Sequence, residues 1–448
     1  MPAESKAAVS FKAKPSLAPP LNQTGAVKWL REHVFYSAGS VLLTFVLLYL
    51  IGQLLYEFVD WALINAVWEA ESRRECTNIN AEGACWAGVI EWMNNIMYGR
   101  YPLDQQWRVD LALGLLVPWL LPLWVRGVRD KHLVGLSAVL VYPFLAGPLI
   151  LGGERGWLTQ GLFALSLTVF AWIVLQCMAG VLGNCSFHDW VDKQGKRLGF
   201  GARARRGMFV ACLFAVFVAV FLLGLNRVLP EVRTNEWGGL FLTLVIAGVG
   251  ICISLPGGIV LELARRSSMP LIRVTTRVFV EIFRSVPLIT VLFMSVTLMP
   301  LFLPETFQLN KLVQAMIGIS LFSSCYMTEI IRAGMRSLPK GQYEAAHALG
   351  FGYGQTMGLI ILPQALKQAI PNIVGTFIDL LRDTTLVSII GLFDFLLMLR
   401  AVGRSQTWLG LFEEPLVFGA TVFFVFCYGM SKYSQHLERN LGQGREQQ

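Results

Sequence analysis

The chain has 448 residues, of which 55% are hydrophobic and only 15% charged, with a formal net charge of +8. Soluble domains carry about a quarter charged residues, and several apolar runs here exceed the roughly 18 residues needed to cross a bilayer. A soluble globular protein is excluded and an all-α polytopic membrane protein is expected.

Residues 1–38 are polar, basic and proline-containing, and read as a retained cytoplasmic tail, with no small-residue cleavage site after the first apolar run. Candidate spans follow at about 39–59, 109–126, 132–152, 160–182 and 207–228, then at 238–262, 278–303, 312–332, 366–392 and 415–433. Residues 60–108, between the first two, are rich in Trp and balanced in charge. They are expected to fold as a small outside cap with amphipathic pieces at the interface. Cys76 and Cys85 lie there. An oxidising exterior permits a disulfide between them, and two free thiols are the alternative. The other six cysteines are scattered without a CxxC or Cys/His cluster, so no metal site is expected.

The basic residues fix an orientation. With the amino terminus inside, the inside segments hold Lys6, Lys12, Lys14, Lys28 and Arg31, then Arg126, Arg129 and Lys131. Further inside loops carry Lys193, Lys196, Arg197, Arg203, Arg205 and Arg206, then Arg265, Arg266, Arg273 and Arg277. Arg332, Arg336 and Lys340 come next, and Lys432 and Arg439 close the chain, so both termini are expected in the cytoplasm. The net charge follows from these loops and asks for no nucleic-acid partner. His188, beside Asp189 and Asp192 in one such loop, reads as solvated surface.

A composition shift near Leu229–Asn235 separates an amino-terminal membrane region, 39–228, from residues 229–448, where the motifs concentrate. The most informative stretch is Leu338 to Pro363, LPKGQYEAAHALGFGYGQTMGLIILP, on the inside by the charge count. A short helix from Gln342 to Leu349 is expected there, with Pro339 near its start and Gly350 ending it in the left-handed conformation. Gly352 and Gly354 allow the turn that follows, and Pro363 starts the next helix.

Glu344-Ala345-Ala346, Gly350 four residues after Ala346, and the closing Leu362-Pro363 resemble the EAA loop of bacterial ABC-importer permeases. Four longer segments resemble the permeases for polar and acidic amino acids. They are GGLFLTLVIAGVGICISLPGGIVLELARRSSMP, VFVEIFRSVPLITVLFM, SCYMTEIIRAGMRSLPKGQYEAAHALGFG and ILPQALKQAIPNIVGTFIDLLRDTTLVSIIGLFDFL. Ser285 and Val286 depart from the E-x-x-R-G-x-P-L pattern, and Arg382 stands where Lys is frequent. The resemblance covers residues 237–433 and is nearest to the longer members with extra amino-terminal spans, which work as half of a heterodimer. It implies the type I ABC-importer transmembrane fold, with Glu344, Ala345, Ala346, His347, Ala348 and Gly350 forming a coupling helix gripped by an ATPase. It also implies a second permease subunit, two ATPase subunits carrying ATP and Mg, a periplasmic amino-acid-binding protein and surrounding lipid. The chain has no P-loop, so hydrolysis is expected on a partner.

Glu344 could contact the ATPase or serve only as a solvated helix-start carboxylate. Ionisable groups within spans default to function or to pairing. Glu281 with Arg284, and Glu329 with Arg332, are three apart and are expected to pair. Asp379, Arg382 and Asp383 read as deeper. With Thr290, Ser324, Thr376, Thr384 and Glu329 they could edge a path for a zwitterionic substrate, or they could form an internal salt-bridge network. An ion-gradient transporter is the competing class, but no internal repeat supports it. No constellation points to a membrane enzyme.

Overall fold

In a computed structural model of the chain, residues 34–123, 131–153, 157–183, 218, 229–304 and 309–446 are described. The chain divides at Ala87/Gly88 into two compact units.

In the first unit, Ser37 accepts a hydrogen bond from Ser40 N (3.1 Å) and so caps α1, Ala38–Val59. Its 22 residues reach about 33 Å at 1.5 Å per residue, enough for the hydrocarbon core. No side chain on it is buried, as suits a helix solvated by lipid. Past a turn at Asp60–Ile64 comes α2, Arg73–Ile79, capped by Ser72. A disulfide joins Cys76 on α2 to Cys85, and both are buried. Trp86 stands 6.4 Å from Trp61 and 6.0 Å from Trp68, ring to ring, and its indole N–H donates to Ala62 O (2.8 Å). Residues 60–87 therefore form a folded cap. Residues 88–108, expected in the same cap, belong to the second unit.

The second unit continues with α3 (Met93–Tyr98) and α4 (Trp107–Leu120). The span expected at 132–152 comes in two pieces, α5 (Lys131–Leu140) and α6 (Pro143–Leu151), with Pro143 at the first position of α6. α7 (Trp157–Gly183) is the next span, and the one expected at 207–228 lies outside the described residues, apart from residue 218. Packing runs straight across the composition shift near Leu229. Tyr101, Val109, Ala112, Ala146 and Ile150 share one hydrophobic cluster with Trp237, Phe241, Ile246, Ile319 and Leu380.

The centre of this unit is α8, Gly239–Arg265. The run at 278–303 is not a single straight helix. It divides into α9 (Pro270–Ser285) and α10 (Leu288–Thr297), bent by 109°. Pro287 has no N–H to give and bars its predecessor from the helical region, so Val286 sits extended at φ −104°, ψ 135°. α11 (Lys311–Arg336), capped by Asn310, packs along α8, and a short helix, α12 (Lys340–Ala348), follows it. α13 (Leu362–Asp383) ends nine residues before the expected limit of 392, giving way to a tight turn at Thr384–Ser388. α14 (Phe395–Val402) and the 34-residue α15 (Glu413–Glu446) complete the unit. Among the described residues five segments combine the length and hydropathy of a span, α5 and α6 together making one of them as expected, with α9–α10 a sixth if the bent pair crosses as one. α11 and α13 have the length but carry more polar residues.

Candidate functional site

The segment from Leu338 to Pro363 is local chemistry carried on a rigid crossing. α11 and α13 meet where Gly334 faces the backbone of α13: a Cβ there would fall 2.5 Å from Ala365 O. Met335, Leu338, Met357, Ile361 and Ala365 form the apolar seat, with Tyr343 of α12 packed against it. Pro339 precedes the first residue of α12 with the extended ψ of 140° that suits a helix entry. At the other end Gly350 takes φ +77°, which only glycine adopts cheaply. Phe351 N then donates to Ala346 O (3.1 Å) and Gly350 N to His347 O (3.0 Å), the paired bonds of a Schellman end. Pro363 lies in the first turn of α13.

Of α12 only Ala346 is buried, at 1% exposure. Glu344, Ala345, His347 and Ala348 face outward, and Leu349 just beyond is 75% exposed. A helix presenting small side chains, one carboxylate and a bare leucine offers a groove-forming partner close backbone approach and an apolar anchor.

A charged cluster stands toward the carboxyl-terminal ends of α8, α9 and α11. Arg265 donates to Glu329 Oε1 at 2.5 Å, Arg332 lies 3.2 Å from Glu329 Oε2, and Arg284 lies 3.5 Å from Oε1. Glu281 is 3.7 Å from Arg284. Both pairs expected from their spacing are therefore present. The shortest contact, Arg265 to Glu329, joins residues 64 apart, and no sequence pattern signals it. Glu262, almost wholly buried, accepts from Arg266 just past the end of α8 (2.6 Å).

The residues expected to edge a substrate path separate. Ser324 and Thr384 are buried and donate to carbonyls of their own segments, Ser320 O (2.6 Å) and Leu381 O (2.7 Å). Thr290 is exposed, and Glu329 is engaged by arginines. Asp379 and Arg382, expected deep, are 70% and 61% exposed and 3.9 Å apart. With Asn372, half-buried Thr376 and Asp383 they form a polar face along α13. An apolar flanking sequence places a residue within a span but does not say which face of the helix it occupies. Among the described residues no hydrogen bond or ion pair joins this face to Thr290, Ser324 or Glu329.

One buried carboxylate escaped sequence reasoning. Asp394 is wholly buried and caps α14, accepting from Leu397 N (3.0 Å) and Leu396 N (3.2 Å). Burial pushes its pKa up to about 7 against the pull of those two amides and of Arg400. Asp is a common capping residue, so its place before the run Phe395–Val402 was the available signal.

The family described as "Binding-protein-dependent transport system inner membrane component" matches residues 254–442. The inner membrane amino-acid ABC transporter permease protein YhdY of Escherichia coli K12 is 37% identical over 424 residues, covering 95% of each chain. The glutamate/glutamine/aspartate/asparagine transport system permease protein BztC of Rhodobacter capsulatus is 38% identical over 450 residues, 96% of this chain and 98% of the relative. A crystal structure of an amino acid ABC transporter with histidines is 28% identical, covers 45% of this chain and 92% of its own, and has a TM-score of 0.41. Matched along nearly its whole length, extra amino-terminal region included, the chain belongs to the amino-acid ABC transporter permeases and is a multi-pass membrane protein.

Proposed function

We propose that this permease forms one half of a heterodimeric pathway for polar and acidic L-amino acids, driven by ATP that separate subunits hydrolyse. The observation that carries the reading is α12, an outward-facing short helix with one buried residue, ended by a left-handed glycine. Two ATPase subunits, holding ATP and Mg, grip Glu344, Ala345, Ala346, His347, Ala348 and Gly350 in the cytoplasm. Their closure displaces α12 and carries the spans between inward-open and outward-open states. The polar face of α13, with Thr376, Asp379, Arg382 and Asp383, faces the second permease and the moving substrate. A buried-core role would leave that face no reason to be polar. A periplasmic binding protein delivers the amino acid, and both termini lie in the cytoplasm of a bacterium whose inner membrane holds the assembly. The substrate class draws on the printed name of the Rhodobacter relative.

The test is purification of the tagged chain from detergent with whatever accompanies it, then reconstitution with the binding protein. Vanadate-sensitive, ATP-dependent uptake of L-glutamate or L-glutamine is the expected result. A preparation without an ATP-hydrolysing companion, taking up substrate on an ion gradient alone, would overturn the reading.

A further inference from the structure

α8 and α11 touch most closely at a glycine crossing. A Cβ on Gly258 would fall 2.8 Å from the side chain of Met327, and one on Gly257 would meet Ser324. About 10 Å further along α8, at 1.5 Å per residue, Arg265 reaches Glu329. The crossing acts as a fulcrum and the ion pair sits beyond it. On α11 Glu329 stands just past Met327, so the lever arm lies on α8, and a rotation of its end against α11 is felt at the Arg265–Glu329 pair.

The contacts of Glu329 suit a clasp that opens. Its partners come from α8 (Arg265), from α9 (Arg284) and from its own helix (Arg332). The first two cannot persist if the carboxyl-terminal ends of those helices part. The Glu329 side chain is 25% exposed, so water can take the place of a departing guanidinium, and separation costs far less than for a fully buried pair. The neighbouring pair is different in kind: Glu262 and Arg266 are four residues apart at the end of α8, and Arg266 also hydrogen-bonds Tyr343 of α12. Glu329 also lies on the helix that hands directly to the coupling segment, α11 ending at Arg336 and α12 beginning at Lys340.

We propose that Glu329 is a positioning residue of the transport cycle: its carboxylate clasps the carboxyl-terminal ends of α8 and α9 to α11, and displacement of α12 releases it. This rests on the coupling reading above. One excess cation remains in the cluster, since Arg265, Arg284 and Arg332 face Glu329 and Glu281. Removing the charge of Glu329 thus turns the clasp repulsive and biases the assembly toward the released state.

The experiment uses the full importer in proteoliposomes, with its partner permease, ATPase subunits and binding protein, and with L-glutamate as the probe. Glu329→Gln keeps the shape and removes the charge. It is expected to reach the membrane at wild-type amounts. Uptake should fall about tenfold while ATP hydrolysis without binding protein rises about tenfold, the effect of ~1.4 kcal/mol on a two-state balance. Arg265→Lys keeps the charge and should fall between that variant and wild type. The inference is overturned if Glu329→Gln keeps the wild-type ratio, or if uptake and hydrolysis fall together with the amount of folded protein. Wild-type uptake that needs no ATP would instead sink the importer reading itself.

Discussion

Replacing Gly350 with alanine separates what the proposed coupling segment needs from what the fold needs. Gly350 sits at φ +77°, and nothing lies within 4 Å of where a Cβ would stand. The substitution therefore makes no clash, and its whole cost is the left-handed conformation, about 1 kcal/mol. That sum is small for the protein and large for α12. Helices shorter than about 12 residues are marginal without packing, and of the nine residues here only Ala346 is buried. About 1 kcal/mol lowers the fraction of correctly ended helix about fivefold. Gly350→Ala should retain wild-type thermal stability in detergent and lose several-fold in amino acid taken up per ATP hydrolysed. Gly350→Asn, which tolerates the left-handed region, should recover most of the loss. Uptake per ATP by the alanine variant equal to wild type would show that the glycine end has no part in coupling. Equal loss in both variants would show that a partner's close approach, rather than φ, makes glycine necessary.

Gly334→Ala should do the opposite, lowering the melting temperature in detergent by the equivalent of about 1–3 kcal/mol, because its Cβ would meet Ala365 O and the backbone has to part. A melting temperature unchanged from wild type would refute the tight crossing. Asp394 makes stability depend on pH. Its pKa rises from the usual 3.8 to about 7 on folding, so the contribution is full below 3.8 and is lost as pH rises through 7. The slope is at most about 1.4 kcal/mol per unit; thermal melts should fall as pH rises from 3.8 to about 7 and level off above it, and Asp394→Asn should flatten them. The Cys76–Cys85 bond closes a short loop worth about 3 kcal/mol in the chain-entropy account; a membrane-impermeant maleimide should label the cap only after reduction, and labelling beforehand would contradict it. Asp379→Asn and Thr376→Ala should shift the preference among glutamate, glutamine and aspartate without reducing the protein in the membrane, whereas lost protein with unchanged preference would assign that face to packing.

What the sequence made legible was local. Pro339, Gly350 and Pro363 each act within a turn of themselves, so the boundaries of α12 and the start of α13 could be read to within two residues. The i,i+3 pairs of Glu281 with Arg284 and Glu329 with Arg332 are local in the same sense. Hydropathy, by contrast, reports composition and not backbone direction. The run at 278–303 stays apolar through Pro287, and the 109° bend there leaves no trace in an average. Helix faces were equally hidden. Asp379 and Asp383 share a turn with buried Leu380 and Leu381, and only tertiary packing decides which side faces the core. Nor could a composition shift near Leu229 reveal that Tyr101 packs edge-on against Phe241, centroids 5.9 Å apart.

The two kinds of information meet at α11. From its sequence it is an amphipathic span ending in basic residues; from its packing it is fixed at three heights. Gly258 holds it to α8 at Met327, Glu329 holds Arg265 two residues further on, and Gly334 holds it to α13 at the foot. The first sets a glycine against Met327 and the third sets a glycine against the backbone of α13, and neither can slide without opening voids. The second is an ion pair that water can enter. A pull on α12 is transmitted through Pro339 to the foot of α11, which moves together with α13 because of Gly334. With the middle of α11 pinned at Gly258, the motion has one compliant point, the cluster around Glu329. Force from outside the chain would be expressed there first, before it reaches any residue on the polar face of α13.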